Sequence, residues 1–174
     1  TALVAHAETG TWKLIQRDHG VTVETREQPG RDLPTLRGRG VIQGEINHVL
    51  AVIMDAERAT EWAEGADECK LLRTINPRDH IIYTRTDTPW PVSDRDIRRT
   101  VEILKPGHEY RVRMICAAKE KPALDGVVRV VDCDSHFYLR RESDTTTFME
   151  YQVNLDPGGS LPEWLVKWAS KKVP

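Results

Sequence analysis

Tyr83-Thr84-Arg85-Thr86-Asp87-Thr88-Pro89-Trp90-Pro91-Val92-Ser93-Asp94-Arg95-Asp96 is the stretch on which the fold turns. Its opening residues continue a strand in which Ile81, Tyr83 and Arg85 share one phase. A loop from Thr88 to Asp94, carrying Pro89, Trp90, Pro91, Val92 and Ser93, then leads into a second strand. There Ile97, Arg99, Val101 and Ile103 alternate with Arg98, Thr100 and Glu102. One wet face and one dry face mark a half-buried antiparallel strand.

Outward from this stretch the pattern repeats. On the C-terminal side Tyr110, Val112, Met114 and Cys116 face one way, with Arg111 and Arg113 the other. Met149, Tyr151, Val153 and Leu155 alternate likewise with Glu150, Gln152 and Asn154. On the N-terminal side, Trp12–Arg17 and Val21–Arg26 are β-rich runs joined by Asp18-His19-Gly20, a hairpin signal. A third strand, Leu36–Gln43, is expected to bend or bulge at Gly38 and Gly40. Ile46, Val49, Leu50, Ile53 and Met54 follow helical spacing and predict a helix running to about Trp62. A terminal helix is expected from Ser160, a good N-cap, with Leu161, Trp164, Leu165 and Trp168 on one face.

The 174 residues suit a single domain, 1–174, and show no repeat or linker. Apolar residues make up 39% and charged residues 30%, and the apolar ones come in periodic groups. With a net charge of -2 and no basic stripe interleaved with aromatics, nucleic acid is not the expected partner. The six histidines, His6, His19, His48, His80, His108 and His136, fall at no metal-ligand spacing, so neither metal nor cofactor is expected. No nucleophile elbow is present. Cys69, Cys116 and Cys133 read as packing residues, with a Cys116–Cys133 disulfide open if their strands are neighbours. Residues 1–7 read either as the end of a signal peptide, placing the protein in the periplasm or outside the cell, or as an ordinary apolar start in a cytoplasmic protein.

The loop stretch resembles the segment of START (steroidogenic-acute-regulatory-related lipid transfer) domains that carries a Pro-aromatic-Pro sequence followed by Arg-Asp. The run Asp156-Pro157-Gly158-Gly159-Ser160-Leu161-Pro162-Glu163-Trp164-Leu165-Val166-Lys167-Trp168-Ala169 is similar to the start of that family's C-terminal helix. The resemblance covers nearly the whole chain and suggests a bacterial member. It implies an α+β helix-grip fold, a curved antiparallel sheet wrapped around the C-terminal helix with an internal cavity. Lipids, sterols or other apolar molecules would bind there, with transient membrane contact on transfer and no catalytic residues. The C-terminal helix and the Thr88–Asp94 loop would form the gate. Family members often carry an acid–base pair in the cavity; the aligned positions here hold Arg85 and Val101, which departs from it.

The expected cavity lining combines Tyr83, Arg85, Ile97, Arg99, Val101 and Ile103 with Val112, Met114, Met149, Tyr151 and Val153, closed by Trp164, Leu165 and Trp168. Inward guanidinium groups at Arg85 and Arg99 are costly unless paired. Either a bulge turns them outward, or they meet acids such as Asp67, Glu68 or Asp132, or a ligand's anionic head group. Arg95 and Asp96 are expected to bond loop backbone. Two other functions stay open. One is an aromatase/cyclase-like enzyme using Arg85, Arg99, Tyr83 or Tyr151; the other is a module whose cavity is filled by Tyr83, Met114, Met149 and Tyr151.

Overall fold

The computed structural model describes residues 10–29, 33–63, 65–89, 92–103, 108–117 and 124–159. The expected terminal helix from Ser160, with Trp164, Leu165 and Trp168, lies outside these residues, as do residues 1–7 and the loop residues Trp90 and Pro91.

The chain opens with the hairpin β1 (Lys13–Asp18) and β2 (Val21–Arg26). His19 and Gly20 form its turn with φ of 46° and 81°. Two successive left-handed residues give the turn whose twist matches the flanking strands. Trp12 precedes β1 rather than joining it; the guanidinium groups of Arg37 and Arg26 lie 3.9 and 4.3 Å from its ring centroid. Strand β3 (Thr35–Gln43) pairs with β2 without a register break, so Gly38 and Gly40 make no bulge. At Gly40 the missing side chain lets the β1–β2 turn approach, since a Cβ there would meet the Gly20 carbonyl oxygen at 3.2 Å.

Helix α1 (Ile46–Met54) is capped by Glu45, whose carboxylate accepts from the backbone N–H of Asn47 at 2.9 Å and of His48 at 3.2 Å. The single helix expected to reach Trp62 is interrupted. Asp55 leaves helical geometry (φ -79°, ψ 83°), and its side chain caps a separate 3-10 helix, Ala56–Glu61, by accepting from the Arg58 N–H. Asp competes for backbone donors and so favours such a break over continuation.

Eight strands follow: β4 (Ala66–Asn76), β5 (Asp79–Thr86), β6 (Arg95–Ile103), β7 (Glu109–Cys116), β8 (Val128–Val130), β9 (Asp132–Arg141), β10 (Thr146–Val153) and β11 (Leu155–Asp156). They join the first three in one sheet, ordered β1-β2-β3-β10-β9-β7-β6-β5-β4. Along this order neighbours are antiparallel; β8 lies parallel beside β6, and β11 pairs with β9.

Helix α1 covers part of one face of the sheet, the inner face. Ile46 and Val49 pack with Leu139, while Leu50, Ile53 and Met54 pack around Val101, Val112, Met114 and Phe137. Val112 and Leu139 retain no solvent exposure. A separate cluster holds Ile97, Val130 and Cys133. There β7 and β9 are indeed neighbours, and a disulfide joins Cys116 to Cys133 with Cα atoms 5.1 Å apart.

Candidate ligand cavity

Beyond the area that α1 covers, the described residues leave a hollow on the inner face. A cavity of about 690 Å³ lies between the sheet and the 3-10 helix, with a predominantly apolar wall. The residues that make room are small. On β3, Gly38 and Gly40 stand opposite Tyr151 and Met149 of β10, and Ala56, Ala59 and Ala63 face the space from the 3-10 helix and its end. Phe137 and Tyr151 stack with ring centroids 4.1 Å apart at 12°, forming a flat aromatic floor.

Of the residues expected to line this space, the structure puts Arg99, Met114, Met149, Tyr151 and Val153 on the wall. Val101, Ile103 and Val112 share the inner face but lie in the packed core near α1, and Ile97 belongs to the Val130–Cys133 cluster. Tyr83 and Arg85 require correction. Strand β5 pairs with β6 so that Ile82 opposes Arg99, Tyr83 opposes Arg98, and Arg85 opposes Asp96. The wall is therefore built from Ile82, Thr84 and Thr86, and Tyr83 and Arg85 point to the opposite face.

Alternation does not select the inward face of β5, for a physical reason. Ile81 and Tyr83 are only 4% and 6% exposed although they face away from the cavity, so β5 is buried on both sides and alternation selects neither. Burial of the Tyr83 phenol, aided by Asp96 and Glu68, raises its pKa above the ordinary value. Arg85 donates from Nε to Asp67 Oδ2 at 2.8 Å, with Glu68 4.0 Å away. Two of the acids anticipated for it are its partners, but on the outer face. The hydrogen bond from Arg85 to Asp67 raises the pKa of the guanidinium.

Thr84, Phe137, Trp62 and the small residues of the wall were not foreseen as cavity residues. Alternation along β9 carries a signal for Phe137, which shares a phase with Cys133, Ser135 and Leu139. Thr84 carries none, because a polar residue in a strand reads as solvent-facing.

At the cavity's rim, Pro89 of the Thr88–Asp94 loop contributes to the wall. The loop closes on itself: Thr88 N–H donates to Asp94 Oδ1 at 3.1 Å and Val92 N–H to the Pro89 carbonyl at 3.1 Å. Arg95 donates to the Ser93 carbonyl at 2.5 Å and to the Gly158 carbonyl at 3.4 Å, so it links the loop to the chain just ahead of Ser160. Burial lowers the Arg95 pKa, with Asp94 opposing. Asp96 departs from the expected backbone contact. It is 1% exposed and takes a two-pronged ion pair from Arg129 of β8, with Nε–Oδ1 and Nη2–Oδ2 distances of 2.5 and 2.8 Å. This hydrogen bonding raises the Arg129 pKa.

The sequence matches the START domain family over residues 2–173. The chain belongs to the START domain family. An uncharacterized protein of Pseudomonas aeruginosa is 30% identical over 155 residues, 88% of this chain and 76% of that protein. The mouse phosphatidylcholine transfer protein is 25% identical over 168 residues, 92% of this chain and 77% of the relative. Among solved structures, a StAR-related lipid transfer protein of Xanthomonas axonopodis superposes with a TM-score of 0.82 at 27% identity, covering 91% of this START domain and 89% of that chain. An aromatase/cyclase of Streptomyces is a distant likeness in fold alone, with a TM-score of 0.52 at 7% identity over 76% of this chain and 74% of that one. Hydrophobic-ligand binding is the general property of the family; the START domain described here has the fold and a hollow inner face for it.

Proposed function

We propose that this START domain binds one lipid, sterol or fatty-acyl molecule in the 690 Å³ cavity and hands it on. The single observation that carries this reading is the apolar space that the described residues leave open beside a packed core on the same strands. Its volume is within the ~300–1,000 Å³ typical of small-molecule sites. The filled-core alternative is disfavoured because Met114, Met149 and Tyr151 border the space without closing it. The name of the mouse relative supports a lipid as ligand.

Release would require movement of the Thr88–Asp94 loop, breaking the hydrogen bond from Arg95 to the Gly158 carbonyl. The enzymatic alternative loses two of its candidate groups, since Tyr83 and Arg85 face away from the cavity. The Cys116–Cys133 disulfide supports an oxidising compartment, the periplasm or outside the cell.

Native mass spectrometry of the protein purified from a bacterial host tests the binding reading. A stoichiometric lipid adduct, released by organic solvent, is the expected result. No adduct, together with no uptake of a fluorescent fatty acid or sterol from vesicles, overturns it.

A further inference from the structure

Arg99 is the feature that hydrophobic binding leaves unexplained. It sits on the cavity wall, and among the described residues its guanidinium makes one hydrogen bond, from Nη2 to Thr84 Oγ1 at 3.0 Å. Its Nε is buried and has no partner. A guanidinium offers five N–H donors in a rigid fork, and burying one without a counter-charge is expensive. The neighbouring arginines are either paired with an acid or turned to the outer face. Arg39, also on the wall, is held by Glu24 at 3.1 Å, and Arg85 by Asp67 on the outer face. Arg98 opposes Tyr83 on that outer face, 5.7 Å from its ring.

Thr84 completes the arrangement. Its oxygen accepts from Arg99 and, at 3.6 Å, from the Cys69 thiol. With both lone pairs used, the hydroxyl proton is left to donate. The remaining Arg99 N–H groups and this hydroxyl form a donor set on a mainly apolar wall that also carries Thr86 and Asp87, suited to the two oxygens of a carboxylate or phosphate.

We infer that Arg99 and Thr84 form a head-group site, and that the ligand of this domain is an amphiphile with an anionic carboxylate or phosphate end. The inference rests on the cavity reading and specifies which end of the ligand lies deepest. Among the described residues no carboxylate is bonded to Arg99, and the bound anion supplies that counter-charge.

Titration calorimetry with oleate, 1-oleoyl lysophosphatidate and oleyl alcohol tests it on delipidated protein. At least one anion is expected to bind the wild type about 10- to 100-fold more tightly than the alcohol, the range of a charge-assisted pair. The better anion tells carboxylate from phosphate. Arg99→Met is expected to abolish the preference while leaving oleyl alcohol within about twofold, Arg99→Lys to keep part of it, and Thr84→Val to weaken only the anions, by several-fold. Equal affinity of the wild type for all three overturns the head-group site and leaves the cavity reading standing, without recourse to any variant. Equal weakening of all three by Arg99→Met also overturns it. Binding of none of the three overturns both.

Discussion

The two ends of the inner face are built from the same strands and obey the same alternation, yet one is solid and the other hollow. At the solid end, α1 lays Ile46, Val49, Leu50 and Ile53 over Val112, Phe137 and Leu139. At the hollow end, the positions that would have to meet Tyr151 and Met149 are Gly38 and Gly40, and the covering segment offers Ala56, Ala59 and Ala63. An empty space loses the dispersion contacts that its lining would otherwise make, so the hollow is stabilising only when filled. The solid end therefore holds the fold, and the hollow end is kept for a ligand.

The largest expected effect separates the two ends directly. Leu139→Ala, fully buried at the solid end, should cost about 2–5 kcal/mol in urea melts, whereas Val153→Ala, on the cavity wall, should cost less than about 1 kcal/mol. Equal costs would mean that the hollow end is packed as tightly as the other. A second effect probes the margin of the hollow end, where Cys116 stands directly across from Arg99 and is bonded to Cys133. Reduction should lower stability by about 2–4 kcal/mol, read as a drop in Tm with reductant that Cys69→Ser leaves unchanged. The smallest effect compares two arginines that look alike in sequence. Arg85→Met, which removes a partly exposed surface pair, should change stability by at most about 1 kcal/mol and leave ligand affinity unaltered, unlike Arg99→Met.

These arginines also mark how much was legible in the sequence. For both, alternation leaves the inward and outward readings open; Arg99 lies on the inner face, in phase with Ile97 and Val101 and against the polar Arg98, Thr100 and Glu102. Arg85 takes the outward alternative, which its strand cannot announce because β5 carries Ile81 and Tyr83 on one side and Ile82 on the other, so its pattern has no preferred face. Pairing with β6 resolves the choice, and pairing is a long-range fact. The apolar stripe Ile46–Met54 was read as helix and is one, but its end at Asp55 was not foreseen, since the side chain's local bond to the Arg58 N–H competes with continuation only in a particular backbone geometry.

The sequence by itself determined the strand phases of β6, β7 and β10, the hairpin turn at His19-Gly20, the α1 stripe and membership of the START family. Each is written in local periodicity, turn chemistry or a contiguous motif. The tertiary structure alone decided the face of β5, the Arg129 partner of Asp96 and the volume of the cavity. Those depend on which residues far apart in the chain are brought opposite one another, and an empty space in particular has no residue of its own to announce it.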